Sequence, residues 1–157
     1  MLGVVTAIAI PAFGKWLNTR SSEVAAHALL RAINTARQNA VIRLTTTTIA
    51  PIEYGNWESG WTIFEDLNAN ATIDEDERLI HVESAVAPGV TINANKPVSA
   101  YLMFDPSGAS RMSNGAFQAG TLAVCNSTST HEIVLSSGGR PRLGERSGNR
   151  CTKKNAV

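Results

Sequence analysis

The segment EVAAHALLRAINTARQNAVIR, residues 23–43, decides the fold because its apolar side chains recur with helical spacing. The residues at this i, i+3, i+4, i+7 spacing are Ala25, Ala28, Leu29, Ala32, Ile33, Ala36 and Ala40. Since Arg31, Arg37 and Arg43 take other faces, the pattern predicts a long amphipathic helix that ends at about Arg43. Its apolar face is rich in small residues, which favours close packing on a sheet.

The pattern of apolar residues changes after the four threonines at 45–48. Short β-like runs follow, separated by Gly, Pro, Asn and Ser: GWTIF (60–64), RLIHV (78–82), GVTIN (89–93), SAYLMF (99–104), GTLAVC (120–125) and HEIVLS (131–136). Runs at this spacing with no later helical period predict an antiparallel sheet or sandwich. We therefore expect an α+β fold in one structural unit, with a helix over 1–43 and a β-rich head over 44–157.

Charge is segregated along the 157 residues although the net charge is only +1. Residues 53–83 hold nine carboxylates and one arginine, a net charge of −8. Residues 138–157 carry +5, and the helical segment 15–43 carries +4. Such asymmetry indicates contact with a polyanion or electrostatic self-assembly, without choosing between them. We expect Lys15, Arg20, Arg31 and Arg37 to be exposed helix positions that contact neighbouring subunits or solvent.

The two cysteines, Cys125 and Cys151, show no metal-binding spacing. A single disulfide between them is the economical interpretation, and it implies an oxidising compartment. The alternative is two free thiols in a cytosolic protein.

Catalysis is not expected, because the sequence has none of the nucleophile, phosphate-binding or zinc-protease motifs. The three histidines lie far apart and have no carboxylate or cysteine at ligand spacing. We predict a protein that is not an enzyme and that needs no cofactor.

The acidic stretch DLNANATIDEDE, residues 66–77, has oxygen ligands at the spacing of an EF-hand loop. They are Asp66, Asn68, Asn70, Thr72, Asp74 and Glu77. The sixth position, where an EF-hand loop has glycine for its sharp turn, is Ala71 in this sequence. The flanking segments have strand patterns. The preferred interpretation is an acidic hairpin connection solvated by water, and a calcium loop is the alternative.

Four blocks resemble the minor pilins of the GspH/FimT group, which are relatives of type IV pilins and type II secretion pseudopilins. The blocks are AIAIPAF (7–13), WESGWTIFEDLNANATIDEDERLI (57–80), FDPSGASR (104–111) and VLSSGGRPR (134–142). The resemblance implies a pilin-like fold, a Gram-negative inner-membrane or periplasmic subunit before assembly, and a place among other pilins in an extracellular pilus.

The same resemblance implies a leader cut by prepilin peptidase, a methylated mature terminus, and an apolar helix that anchors the full-length protein in the inner membrane. This chain begins at Met1 inside that helix and has no glutamate before Glu23. We therefore expect it to lack the anchoring part of the helix and to behave as a soluble domain.

Within the group, Gly139, Arg140, Pro141 and Arg142 fit the G-R-x-R motif of FimT-like minor pilins. The resemblance implies binding of double-stranded DNA in natural transformation (competence). Guanidinium groups suit this task because they donate paired hydrogen bonds to phosphates. Arg146, Arg150, Lys153 and Lys154 extend the expected footprint. Since no aromatic residue interleaves this segment, we expect weak, sequence-independent duplex binding without base stacking.

The alternative function is structural. In that case the chain is a GspH-like minor pilin or pseudopilin that primes filament or secretion-system assembly and does not bind DNA. Its C-terminal cations would then pair with the acidic segment of a neighbouring subunit.

Overall fold

The alanine-rich segment forms a long helix, α1, from Ile10 to Arg43. The computed structural model describes the backbone of residues 10–146 and the side chains of residues 20–144. The face predicted to be apolar is buried, and Leu29, Ile33, Ala36 and Ala40 have no solvent exposure. Within the described part of the chain, no helix is both long enough and apolar enough to span a membrane.

Within residues 10–146, nine antiparallel strands follow α1 and form two sheets. In chain order they are β1 (Thr47–Glu53), β2 (Asn56–Glu65), β3 (Leu79–Glu83), β4 (Thr91–Ala94), β5 (Leu102–Phe104), β6 (Ser110–Arg111), β7 (Gly120–Cys125), β8 (Thr130–Leu135) and β9 (Pro141–Arg146), with a short 3-10 helix at Lys96–Val98. The five-stranded sheet has the order β3-β2-β1-β5-β6, and the four-stranded sheet has the order β4-β7-β8-β9. The predicted α+β architecture, a long helix packed on antiparallel sheets, is confirmed.

The helix packs against strands of both sheets, and side chains from the helix and from both sheets form the core. The five-stranded sheet contributes Ile49, Trp57, Trp61, Ile63, Leu102 and Phe104, and the four-stranded sheet contributes Leu122, Val124, Ile133 and Leu135. Because most buried helix residues are alanines, the helix backbone can approach these large side chains closely. The indole Nε1 of Trp57 donates to the carbonyl oxygen of Ser99 at 2.9 Å, so this buried polar group is satisfied.

The C-terminal basic segment differs from its sequence prediction. The last β-like run in the sequence is HEIVLS (131–136), but Pro141–Arg146 also forms a strand, β9, which pairs with β8 along its length. Leu143 lies opposite the buried Ile133 and packs against the core, whereas Arg142 lies opposite Val134 on the outward face. Pro141 is tolerated because β9 is the last strand in the order of the four-stranded sheet.

Candidate nucleic-acid interface

The arginine motif lies at the turn of the β8–β9 hairpin. The amide of Gly139 donates to the carbonyl oxygen of Ser136 at 2.9 Å, and the amide of Ser136 donates to the carbonyl oxygen of Arg140 at 3.3 Å. Gly139 has φ +74°, a left-handed conformation that residues with a Cβ rarely adopt. A tight turn is therefore present at Gly138 and Gly139, and it places Arg140 directly before β9.

The turn is packed on the loop between β5 and β6. A Cβ at Gly139 would overlap the carbonyl oxygen of Gly108, so the two glycine backbones are in direct contact. The hydroxyl of Ser110 lies 3.1 Å from the carbonyl oxygen of Ser136 and adds a second link. The blocks FDPSGASR and VLSSGGRPR, which are separate in sequence, thus form one surface feature.

Arg37 on α1 also contacts the carbonyl group of Gly108. Its Nε donates to the carbonyl oxygen of Gly108 at 2.9 Å, and its side chain is half-buried. The expectation that Arg37 is a freely exposed helix residue is therefore wrong. The sequence contained no signal for this role, because the acceptor is a backbone carbonyl far along the chain.

Asp105 orders the loop that carries Gly108. One carboxylate oxygen accepts from the amides of Ser107 (2.9 Å) and Ala109 (3.1 Å), and the other accepts from Nε of Arg111 (3.0 Å). Burial raises the pKa of Asp105, but the hydrogen bonds from Ser107, Arg111 and Ala109 outweigh it and hold the pKa below its ordinary value. The carboxylate is therefore ionised at neutral pH. In this form it accepts the hydrogen bonds that order the loop on which the arginine turn packs.

Arg140 and Arg142 are both exposed. Among the described side chains, residues 20–144, neither forms an ion pair with a carboxylate. Ion pairs in this part of the chain include those of Arg43 with Glu65, Arg78 with Glu65 at 3.7 Å and Arg111 with Asp105 at 3.0 Å. The two guanidinium groups are therefore presented outward from a turn that the rest of the fold immobilises.

Several predicted site residues cannot be placed. Arg146 ends β9, but its side chain lies outside the described set, and Arg150, Cys151, Lys153 and Lys154 lie outside the described residues altogether. Cys125 is buried at the end of β7. The extended cationic footprint and the Cys125–Cys151 disulfide stay predictions.

The acidic stretch 66–77 connects β2 to β3, which pair as a hairpin. Asp66 is fully buried, and its carboxylate accepts from the hydroxyl of Thr48 (2.7 Å) and from the amides of Asn70 and Ala71 (both 3.0 Å). These bonds satisfy the buried carboxylate from the protein itself. Asp66 thus anchors the start of the connection to β1.

Three other predicted ligands, Asn70, Asp74 and Glu77, also accept hydrogen bonds within the loop. Asp74 accepts from the side-chain amides of Asn68 (2.8 Å) and Asn70 (3.0 Å), and Glu77 accepts from the backbone amides of Leu67 (2.7 Å) and Asp74 (3.0 Å). The side-chain oxygen of Asn70 accepts from the amide of Thr72 at 2.7 Å. In residues 20–144, no three His, Cys, Asp or Glu side chains are grouped to hold a metal ion. These contacts are those of a self-supported hairpin connection.

Comparison with known proteins identifies relatives that cover most of the chain. The family model described as type II transport protein GspH matches residues 25–139. The crystal structure of the type IV minor pilin FimU of Pseudomonas aeruginosa (space group P21) is 20% identical and covers 82% of this chain and 92% of that chain, with a TM-score of 0.67. A second crystal form (P65) is 21% identical and covers 78% and 91%, with a TM-score of 0.63.

The minor pseudopilin EpsH from the type 2 secretion system of Vibrio cholerae is also similar. It is 11% identical and covers 80% of this chain and 97% of that chain, with a TM-score of 0.57. At these identities the structural matches establish a shared fold. The comparison with curated protein sequences finds no match.

We predict that Gly139→Ala destabilises the protein by about 2–3 kcal/mol, because the new Cβ meets a backbone carbonyl at a left-handed position. Thermal unfolding should show a fall in Tm of about 4 °C or more. Gly138→Ala is the matched control, since its nearest neighbour would be the hydroxyl of Ser136 at 3.9 Å. Equal Tm values for the two variants would contradict the proposed packing on Gly108.

We also predict that calcium does not stabilise the protein, because the carboxylates of Asp66, Asp74 and Glu77 already accept hydrogen bonds from the protein. Adding about 1 mM calcium to the EDTA-treated protein should leave Tm unchanged, whereas a site with a Kd of about 0.1 mM would add roughly 1.4 kcal/mol. Magnesium serves as the ionic control. A calcium-specific rise in Tm that Glu77→Gln abolishes would establish the calcium loop instead.

Proposed function

The chain belongs to the GspH family, and from that premise we propose that it is a FimT-like minor pilin that binds double-stranded DNA. Binding is non-specific, runs through Arg140 and Arg142, and serves DNA uptake by a type IV pilus in natural transformation. The family model ends at Gly139, so the two arginines are argued from their geometry. Minor pilins and pseudopilins are filament subunits, and the other pilins of the filament are the expected partners.

The observation that supports DNA binding most strongly is the outward presentation of two arginines from an immobilised turn. Their Cα atoms are at most about 7 Å apart, since two extended residues span no more than this. That distance is similar to the spacing of successive phosphates along one DNA strand. Each guanidinium can donate two hydrogen bonds to a phosphate without losing its charge.

The packing of the turn lowers the cost of binding. A side chain on a mobile tail loses backbone as well as rotamer freedom when it meets DNA, whereas Arg140 starts from a backbone fixed by Ser136 and Gly108. Phosphate contacts carry no sequence information, so the expected binding is sequence-independent. Arg146, Arg150, Lys153 and Lys154 are proposed to continue the contact along the DNA backbone.

The second candidate function is assembly without DNA binding, and the distribution of charge favours considering it. Glu75 and Asp76 are exposed on the β2–β3 connection, and together with their neighbours they form an acidic surface. In a filament this surface of one subunit can face the cationic hairpin of the next. Arg140 and Arg142 would then be occupied by carboxylates of the neighbour.

We predict that Arg140→Gln/Arg142→Gln weakens binding to a duplex oligonucleotide at least about ten-fold in fluorescence anisotropy at low salt. The control Arg31→Gln/Lys96→Gln removes the same charge from exposed positions on α1 and at the start of the 3-10 helix, and it should retain most of the affinity. If about four to six cations engage, the wild-type log–log slope against salt is roughly −4 to −5. The hairpin variant should have a slope shallower by about two, because two phosphate contacts are lost.

The two candidate functions give opposite results in this assay. Loss of affinity in the folded hairpin variant alone supports DNA binding at this site. Equal loss in both double variants would show that only net charge matters. A wild-type protein that does not bind duplex DNA at about 0.1 M salt would support the assembly function.

A further inference from the structure

An exposed aromatic ring lies next to the strand that contacts the arginine hairpin, since Phe117 pairs with Arg111 and Ser110 contacts Ser136. Phe117 is 64% exposed, and its backbone forms an antiparallel bridge with Arg111. The guanidinium carbon of Arg111 lies 4.2 Å from the centroid of the Phe117 ring, which is a cation–π contact. Arg111 is in turn paired with Asp105, so one face of the ring is covered by a fixed group.

The ring is connected to the hairpin through its chain neighbours. Ser110, which precedes Arg111, has its hydroxyl 3.1 Å from the carbonyl oxygen of Ser136. Gln118 follows Phe117, and its backbone amide donates to the carbonyl oxygen of Ser110 at 3.1 Å. Phe117 is therefore attached to the same packed unit that presents Arg140. The absence of aromatic residues from the arginine segment holds along the chain but not in space.

We infer that Phe117 is a stacking platform for an unpaired nucleobase, so that the site takes single strands and frayed duplex ends as well as the duplex backbone. This inference rests on the proposed function, because the arginine hairpin supplies the phosphate contacts beside the ring. The ligand class is a single-stranded segment of DNA whose backbone lies on Arg140 and Arg142. The base adjoining those phosphates stacks on the free face of Phe117.

Three features of the surroundings fit this role. The ring is exposed on a short bridge, and the Arg111 guanidinium orients it without burying it. The Arg111 charge is engaged by Asp105, whose pKa is held low by its hydrogen bonds, so the ring rather than the charge is the available group. Stacking on an aromatic ring is tolerant of base identity, which agrees with sequence-independent binding.

The test compares two DNA probes in fluorescence anisotropy: a single-stranded dT oligonucleotide and a duplex whose two ends are closed by non-nucleotide linkers, so that it has no unpaired base. Phe117→Ala should lose about five-fold or more of its affinity for the single strand and keep its affinity for the closed duplex. Phe117→Leu keeps the apolar bulk without a π face and should lose as much as Phe117→Ala. Phe117→Trp should keep single-strand binding.

Tyr54→Ala is the matched control, since Tyr54 is a 90% exposed aromatic residue in the turn between β1 and β2. It should change neither affinity. Circular dichroism should show the same Tm for all variants, because the Phe117 ring is mostly outside the core.

The outcomes separate this inference from the proposed function. If Phe117→Ala leaves single-strand affinity unchanged while Arg140→Gln/Arg142→Gln abolishes duplex binding, the stacking inference is wrong and the proposed function stands. Equal losses on both probes would also overturn it, since they indicate a supporting rather than a stacking role. If the wild type binds neither probe, both proposals fail.

Discussion

The contact of Gly139 with the carbonyl of Gly108 is the constraint on which the arrangement of the candidate site depends. The hairpin of the four-stranded sheet meets a loop of the five-stranded sheet there, and Arg37 of the helix donates to the same carbonyl. All three parts of the fold thus converge at one point. Because both glycine positions have positive φ and no room for a side chain, the backbones themselves form the joint.

The contact between Gly139 and Gly108 fixes the position of the arginine hairpin relative to the rest of the fold. A cationic segment on a loose tail attracts polyanions but does not hold them in one geometry. Here Arg140 and Arg142 extend from a backbone fixed on both sides, while the buried Asp66 anchors the acidic connection at β1 on the other sheet. The opposite charges therefore belong to separate rigid features. The same separation suits either a DNA ligand or an oppositely charged neighbour in a filament.

The helix and most of the strands could be predicted from the sequence because their burial follows a simple period. Leu29, Ile33, Ala36 and Ala40 repeat with the helical turn, and each of the six predicted β-like runs overlaps a strand. β9 was missed because proline and glycine interrupt its alternation, although Leu143 does point to the core. The roles of Arg37 and Gly108 could not be predicted from the sequence, because they depend on which loop the hairpin packs against. The link between Phe117 and the hairpin, through Gln118 and Ser110, could not be predicted for the same reason.

The most direct test of the central claim is an NMR titration of the isotope-labelled protein with a short closed DNA duplex, observing arginine Nε–H and backbone amide signals. We expect the largest shifts at the side chains of Arg140 and Arg142 and at the amides of Gly139 and Leu143. Signals from Arg31 on the helix and from the 66–77 connection should stay in place. Shifts centred on the helix, or none at the two hairpin arginines, would contradict the claim that this immobilised turn holds the DNA.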